Sequence, residues 1–151
     1  VMKVLNKQRL HLAALCTGPA IRMMDLAMAH TQARTQFGQP VGNFQLLQAM
    51  LADSRTDIYA ARSMILEAAR ARDRGVDVAL TASMCKYFAS EMCGRVADRA
   101  VQMFGGSGYV ADFSPIERYY RDVRLFRLYE GTSQIHQLNI AKLALREAGA
   151  T

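Results

Sequence analysis

The chain has 151 residues, 51% hydrophobic and 21% charged, with a net charge of +6 at pH 7. That balance excludes a disordered tail or a fibrous chain, and the length suits one domain burying about 70% of its unfolded surface. Nine Met, no Trp and only 8% aromatic residues point to packed helices more than to a β-sandwich, whose strands favour aromatic and β-branched residues. Cys16, Cys85 and Cys93 are odd in number and follow no secretory signal, so a reduced intracellular setting is expected, with the cysteines as small core residues. No run of about 18 apolar residues stands out, so no membrane span is expected. The opening Val1-Met2-Lys3-Val4-Leu5 reads as a cut inside a longer protein.

The first helix is expected from about Val4 to Phe37, with a kink or break at Pro19, which removes a backbone donor and clashes with the preceding turn. Phe37-Gly38-Gln39-Pro40-Val41-Gly42 is a connector. Asn43 is a plausible N-cap for the second helix and Gly75 a plausible stop. Between them Leu47, Leu51, Ser54, Ile58, Ala61, Ile65 and Ala68 recur at alternating steps of four and three, one stripe facing a partner helix. From 44 to 74 such a helix is about 46 Å long, a span typical of an antiparallel bundle.

A third helix is expected after Asp77, ending at Gly105, with the seam Ala82, Cys85, Ala89, Met92, Val96, Ala100 and Met103. Gly105-Gly106-Ser107-Gly108-Tyr109 reads as a flexible loop, and Ser114-Pro115-Ile116-Glu117 as a capping box starting a short helix to about Leu128. A last helix begins near Thr132 or Ser133 and ends before Gly149. No repeat and no β-hairpin signal is present. The expected fold is all-α, an up-and-down four-helix-type bundle with one additional short helix across it.

Glu130 stands out by position, in Tyr129-Glu130-Gly131-Thr132-Ser133-Gln134 at the junction of two helices. A carboxylate there can be aimed into a cleft while helices hold it from both sides. By spacing alone the plainer reading is favoured, a Glu near a helix start serving dipole and cap. The run Gly105 to Gly108 has no strand ahead of it and so lacks the context of a phosphate loop. Arg118, Arg121, Arg124 and Arg127 recur every third residue, wrap around their helix and read as a solvated, partly ion-paired face. The positive balance suits an anionic ligand; interleaved aromatics of the kind that stack nucleic-acid bases are missing, which argues against nucleic acid. His11, His30, His136 and the cysteines fall at no metal-ligand spacing, which argues against a metal.

Several stretches then combine. Arg34-Thr35-Gln36-Phe37-Gly38-Gln39-Pro40 followed by Phe44-Gln45, Gln102-Met103-Phe104-Gly105-Gly106-Ser107-Gly108-Tyr109, and Arg121-Asp122-Val123-Arg124 followed by Tyr129 to Ile135 resemble, in order and spacing, R-x-x-F-G-x-P…F-Q, Q-x-x-G-G-x-G-Y and R-D-x-R…Y-E-G-T-S-[EQ]-I of the acyl-CoA dehydrogenases. The resemblance covers residues 1–151 but only the C-terminal helical third of the family's subunit, without its N-terminal helical and middle β domains. It implies FAD-dependent α,β-dehydrogenation of an acyl-CoA thioester to trans-2-enoyl-CoA. Glu130 would be the α-proton base, with the thioester oxygen accepting from the Glu130 N–H and a flavin hydroxyl. One branch of the family places its base on the first helix, at the position Gln8 holds here, and Gln8 has no carboxylate.

The resemblance further implies contacts with the FAD of a neighbouring subunit at Arg34 and Gln45, and further FAD contacts at Gln102, Met103, Phe104, Gly105 and Gly106, and at Thr132, Ser133 and Gln134. It implies substrate contacts at Asn6, Lys7, Gln8, Arg9 and Gly131. An electron-transferring flavoprotein would accept the electrons and the whole subunit would form a homotetramer. The setting would be the bacterial cytoplasm, or else the mitochondrial matrix. Two alternatives share these residues: an acyl-CoA oxidase-like enzyme, and a non-enzymatic oligomerisation or DNA-binding offshoot.

Overall fold

A computed structural model of the chain describes residues 2–149, with side chains from Lys7 onward. Among the described residues six helices carry the fold: α1 (Met2–Ala33), α2 (Gln45–Asp73), α3 (Ala79–Phe104), α4 (Gly106–Tyr109), α5 (Ile116–Arg124) and α6 (Ser133–Glu147). Pairs of contacts fix their directions. Arg9 meets Ser83 near the start of α1 and α3, and His30 stacks on Phe104 at their far ends, so these two run parallel. Asp57 of α2 pairs with Arg95 of α3 and Asp53 with Arg99, and Ser133 and Gln137 of α6 meet Glu91 and Tyr87, so α2 and α6 run the other way. The result is the expected all-α, up-and-down bundle, with α5 laid against α3.

The stripe on α2 is as read: Ser54, Ile58, Ala61, Ile65 and Ala68 are buried. On α3 the seam from Ala82 to Met103 is buried too, but Ser83, Lys86, Ser90, Cys93 and Ala97 form a second buried row. Small residues on both rows let α3 sit at the centre, touched by α1, α2, α5 and α6. The cysteines are buried free thiols.

Local expectations fared differently. Helix α1 runs unbroken through Pro19. The carbonyl that Pro19 deprives of a donor belongs to Leu15, which faces solvent, where water can replace the lost bond. By length and composition α1 could also cross a bilayer, against the expectation of no such segment; here its row Ala13, Cys16, Ala20, Met23 and Ala27 is buried in the bundle core. Asn43 does not cap α2; it belongs to a 3₁₀ turn, Val41–Asn43, and Phe44 takes the cap position. Gly75 does follow the end of α2, with φ +81°.

The connector after α1 contains a small hairpin that alternation could not reveal. Strands β1 (Thr35–Gln36) and β2 (Gln39–Pro40) pair antiparallel. Phe37 and Gly38, at φ 52° and 78°, make the two-residue left-handed turn such hairpins need. The glycine run is not a loop but the helical turn α4, closed against α3 because Gly108 has no side chain: a Cβ there would lie 2.7 Å from that of Phe104. The capping box is half formed. Ser114 accepts from the Ile116 N–H at 3.4 Å, but Glu117 pairs with Arg121 at 2.7 Å and does not turn back.

Candidate functional site

Helix α5 passes through a 3₁₀ turn, Leu125–Arg127, into a sharp corner at Glu130 and Gly131 before α6 begins. Both corner residues are left-handed, Glu130 at φ +55° and Gly131 at φ +93°. For a glutamate this conformation costs roughly 1–2 kcal/mol, so the surroundings must impose it. They do so from the buried side. The Lys86 ammonium, fully buried, donates to the Gly131 carbonyl at 2.6 Å. The His136 ring, also fully buried, lies with Nε2 3.1 Å from the Glu130 carbonyl. A carbonyl only accepts, so Nε2 carries the proton and Nδ1 is a bare acceptor without a partner among the described residues. Burial pushes His136 down to about 4, and the charges of Lys86 and Arg9 act in the same direction. Burial likewise lowers Lys86 from the usual lysine value, against the pull of Cys16, Glu91 and Glu130.

The start of α6 is pinned as firmly. Thr132 accepts from the Ile135 N–H at 3.3 Å as its N-cap, and the buried Ser133 hydroxyl donates to Glu91 at 2.5 Å. Against this fixed base the Glu130 side chain is exposed. Among the described residues no backbone carbonyl or side chain accepts from the Glu130 N–H.

A second feature lies at the other end of the bundle. Arg34, Gln102, Met103, Phe104, Gly105 and Gly106 line one open groove of about 700 Å³, with the hairpin and Phe113 completing its walls. Gln45 stands exposed beside Phe44, which lines the groove, without lining it itself. Thr132, Ser133 and Gln134 sit instead beside Glu130. An exposed guanidinium, a side-chain amide and bare glycine backbone are groups that take an anionic, aromatic ligand, and the donor set fits a flavin dinucleotide. Of the expected substrate contacts, Lys7 and Gln8 are exposed on α1 and Arg9 is half-buried, its Nη1 3.4 Å from Ser83 Oγ. The Asn6 side chain lies outside the described residues.

Sequence reasoning missed Lys86, Glu91 and His136. The signal was present for Lys86: it interrupts the small-residue row Ser83, Ser90, Cys93, Ala97 at matching helical steps, a cation where only packing is expected. The arginine series also needs one correction. Arg118, Arg121 and Arg124 are exposed as read, but Arg127 lies over Gly94, with its Nε buried and 3.6 Å from Glu91.

Residues 1–145 match the family described as acyl-CoA dehydrogenase, C-terminal domain. The chain belongs to the acyl-CoA dehydrogenase family. It is 38% identical over 146 residues to the caffeyl-CoA reductase–Etf complex subunit CarC of Acetobacterium woodii, covering 97% of this chain and 38% of that protein. Butyryl-CoA dehydrogenase of Megasphaera elsdenii superposes with a TM-score of 0.92 at 34% identity, over 96% of this chain and 38% of that one. PigA with FAD and proline superposes with a TM-score of 0.89 at 28% identity, over 94% and 37%. The acyl-CoA dehydrogenase domain described here thus spans under two-fifths of the length of these relatives. It is the helical domain of an oxidoreductase family.

Proposed function

We propose that this chain supplies the base and part of the FAD site of an enzyme that removes hydrogen from Cα and Cβ of an acyl-CoA thioester. The observation that carries the reading is the Glu130 corner: a solvent-facing carboxylate on a left-handed backbone that two buried side chains hold in place. Strain of this kind persists where the surroundings over-determine it, and it clusters at functional sites.

In this mechanism a Glu130 carboxylate oxygen takes the proton from the carbon next to the thioester carbonyl. The electrons of that C–H bond form the Cα=Cβ double bond as a hydride leaves Cβ. FAD, when bound, supplies the hydride acceptor. The Glu130 N–H, which has no acceptor among the described residues, is suited to donate to the thioester oxygen and stabilise the charge that develops there. Arg34, Gln102, Gly105 and Gly106 would hold the cofactor's anionic and polar parts in the groove they line. The other domains of the whole subunit would close over Glu130 and exclude water, as general-base work on a weak carbon acid needs.

An electron-transferring flavoprotein as acceptor, a homotetrameric enzyme and a cytoplasmic or mitochondrial-matrix setting complete the reading. For the acceptor, the support is a relative named as the subunit of an Etf complex. The test is the complete enzyme, purified and assayed for flavin absorbance and acyl-CoA-dependent reduction of an artificial electron acceptor. Bound flavin with turnover supports the proposal, and a flavin-free protein inert to acyl-CoA overturns it. The isolated chain, holding one wall of the pocket, is expected to show no turnover.

A further inference from the structure

We propose that Lys86 and His136 are positioning residues that set the direction of the Glu130 carboxylate by holding the carbonyls of Glu130 and Gly131 inward. The inference rests on the reading of Glu130 as base and adds the groups through which the bundle controls it.

Two buried donors take two consecutive carbonyls, Lys86 that of Gly131 and His136 that of Glu130. The two carbonyls are held this way at a corner whose dihedrals are both left-handed, φ +55° and +93°. Release of either donor lets Glu130 relax toward the ordinary negative-φ region, which swings its side chain and its N–H away from their present directions. The His136 ring also fills the space Gly131 leaves open: a Cβ on Gly131 would lie 3.0 Å from Nε2.

Stability of α6 does not account for the lysine. The helix starts just past Gly131, and a cation there opposes the positive end of the helix dipole. The group that serves that end is Glu91, bonded to Ser133. Burying an ammonium in full is costly, and a neutral donor could satisfy one carbonyl with less desolvation. What the cation supplies is a strong, charge-assisted hold on the corner from α3, the most enclosed helix of the bundle.

The test compares Lys86→Met, His136→Met, His136→Gln and Glu130→Gln in the complete enzyme. His136→Gln keeps an N–H donor where His136→Met keeps only bulk. The expected result is a fall in kcat of about 10-fold or more for Lys86→Met and His136→Met, since small misplacements of a catalytic group are costly. The KM for acyl-CoA and the flavin content stay near wild type, and His136→Gln recovers most of the rate. Hydrogen exchange of the peptide spanning 128–134 rises in the two Met variants while exchange in α3 does not. The proposal is overturned if His136→Met keeps kcat within about twofold of wild type, if His136→Gln and His136→Met lose rate equally, or if exchange at the corner is unchanged. If Lys86→Met does not fold, the His136 pair decides. An active Glu130→Gln enzyme overturns the base assignment itself. An inactive one, with Met variants at full rate, overturns only the positioning role.

Discussion

The Lys86 ammonium sits 2.6 Å from the carbonyl oxygen of Gly131, forty-five residues further along the chain. That one bond ties the N-terminal third of α3 to the corner that carries Glu130. It gives a chain reversal, where mobility is usually highest, an anchor in the buried part of the bundle.

Gly131→Ala tests the geometry of the corner. Alanine at φ +93° is strained, and its Cβ meets His136 at 3.0 Å. The expected cost is about 1–3 kcal/mol of stability, read by urea unfolding, together with lost turnover in the complete enzyme. A variant as stable and active as wild type would show that the corner tolerates a different backbone.

Acidification should weaken the fold in a defined window. Burial pushes His136 down to about 4 in the fold, from an ordinary histidine value of 6.5. Between these values the unfolded chain binds a proton that the folded chain does not, so stability rises with pH across the window and is lost as pH falls through it. The full effect is about 3 kcal/mol. His30, lowered by burial and by Arg34, adds in the same direction. The melting temperature measured from pH 7 to pH 4 should fall, and His136→Gln should flatten the curve. A wild-type curve already flat over this range would contradict the assignment of His136 as a neutral buried imidazole.

The sequence displayed the frame of the bundle because small and apolar residues recur at helical steps along α2 and α3, and nothing else competes with that pattern. Glu130 was visible through its place between two helices and through its motif. Lys86 and His136 were not, because their importance lies in which carbonyls they reach, and that depends on how α3, α6 and the corner meet. The hairpin at Phe37 and Gly38 escaped for a similar reason. Its strands are two residues each, too short to alternate, and its turn depends on a left-handed phenylalanine. Pro19 misled because its effect depends on whether Leu15 faces solvent or core.

The cysteines give a further check. Burial raises Cys16 to about 12 and Cys85 to about 11, and pushes Cys93 up as well. Thiols held protonated and enclosed should not react with a disulfide reagent at pH 8 until the chain unfolds. Stoichiometric labelling of the native protein within minutes would contradict the burial of all three.

Self-association is expected of the chain on its own. Phe37 is 91% exposed, Leu46 76% and Leu138 67%, apolar surface that association with other chains would cover. Light scattering at high concentration should give a mass above that of one chain, and a clean monomer would count against this.

Glu130→Gln in the complete enzyme bears most directly on the account. The substitution keeps size and shape and removes the basic carboxylate, while the backbone N–H and the buried hold of Lys86 and His136 remain. General-base assistance is worth about 10²–10⁴-fold. The account predicts a fall in kcat of at least that order, with acyl-CoA still perturbing the flavin spectrum because binding survives. A variant whose kcat stays within a few-fold of wild type would contradict it, and would leave Glu130 as a helix-start residue that serves only the fold.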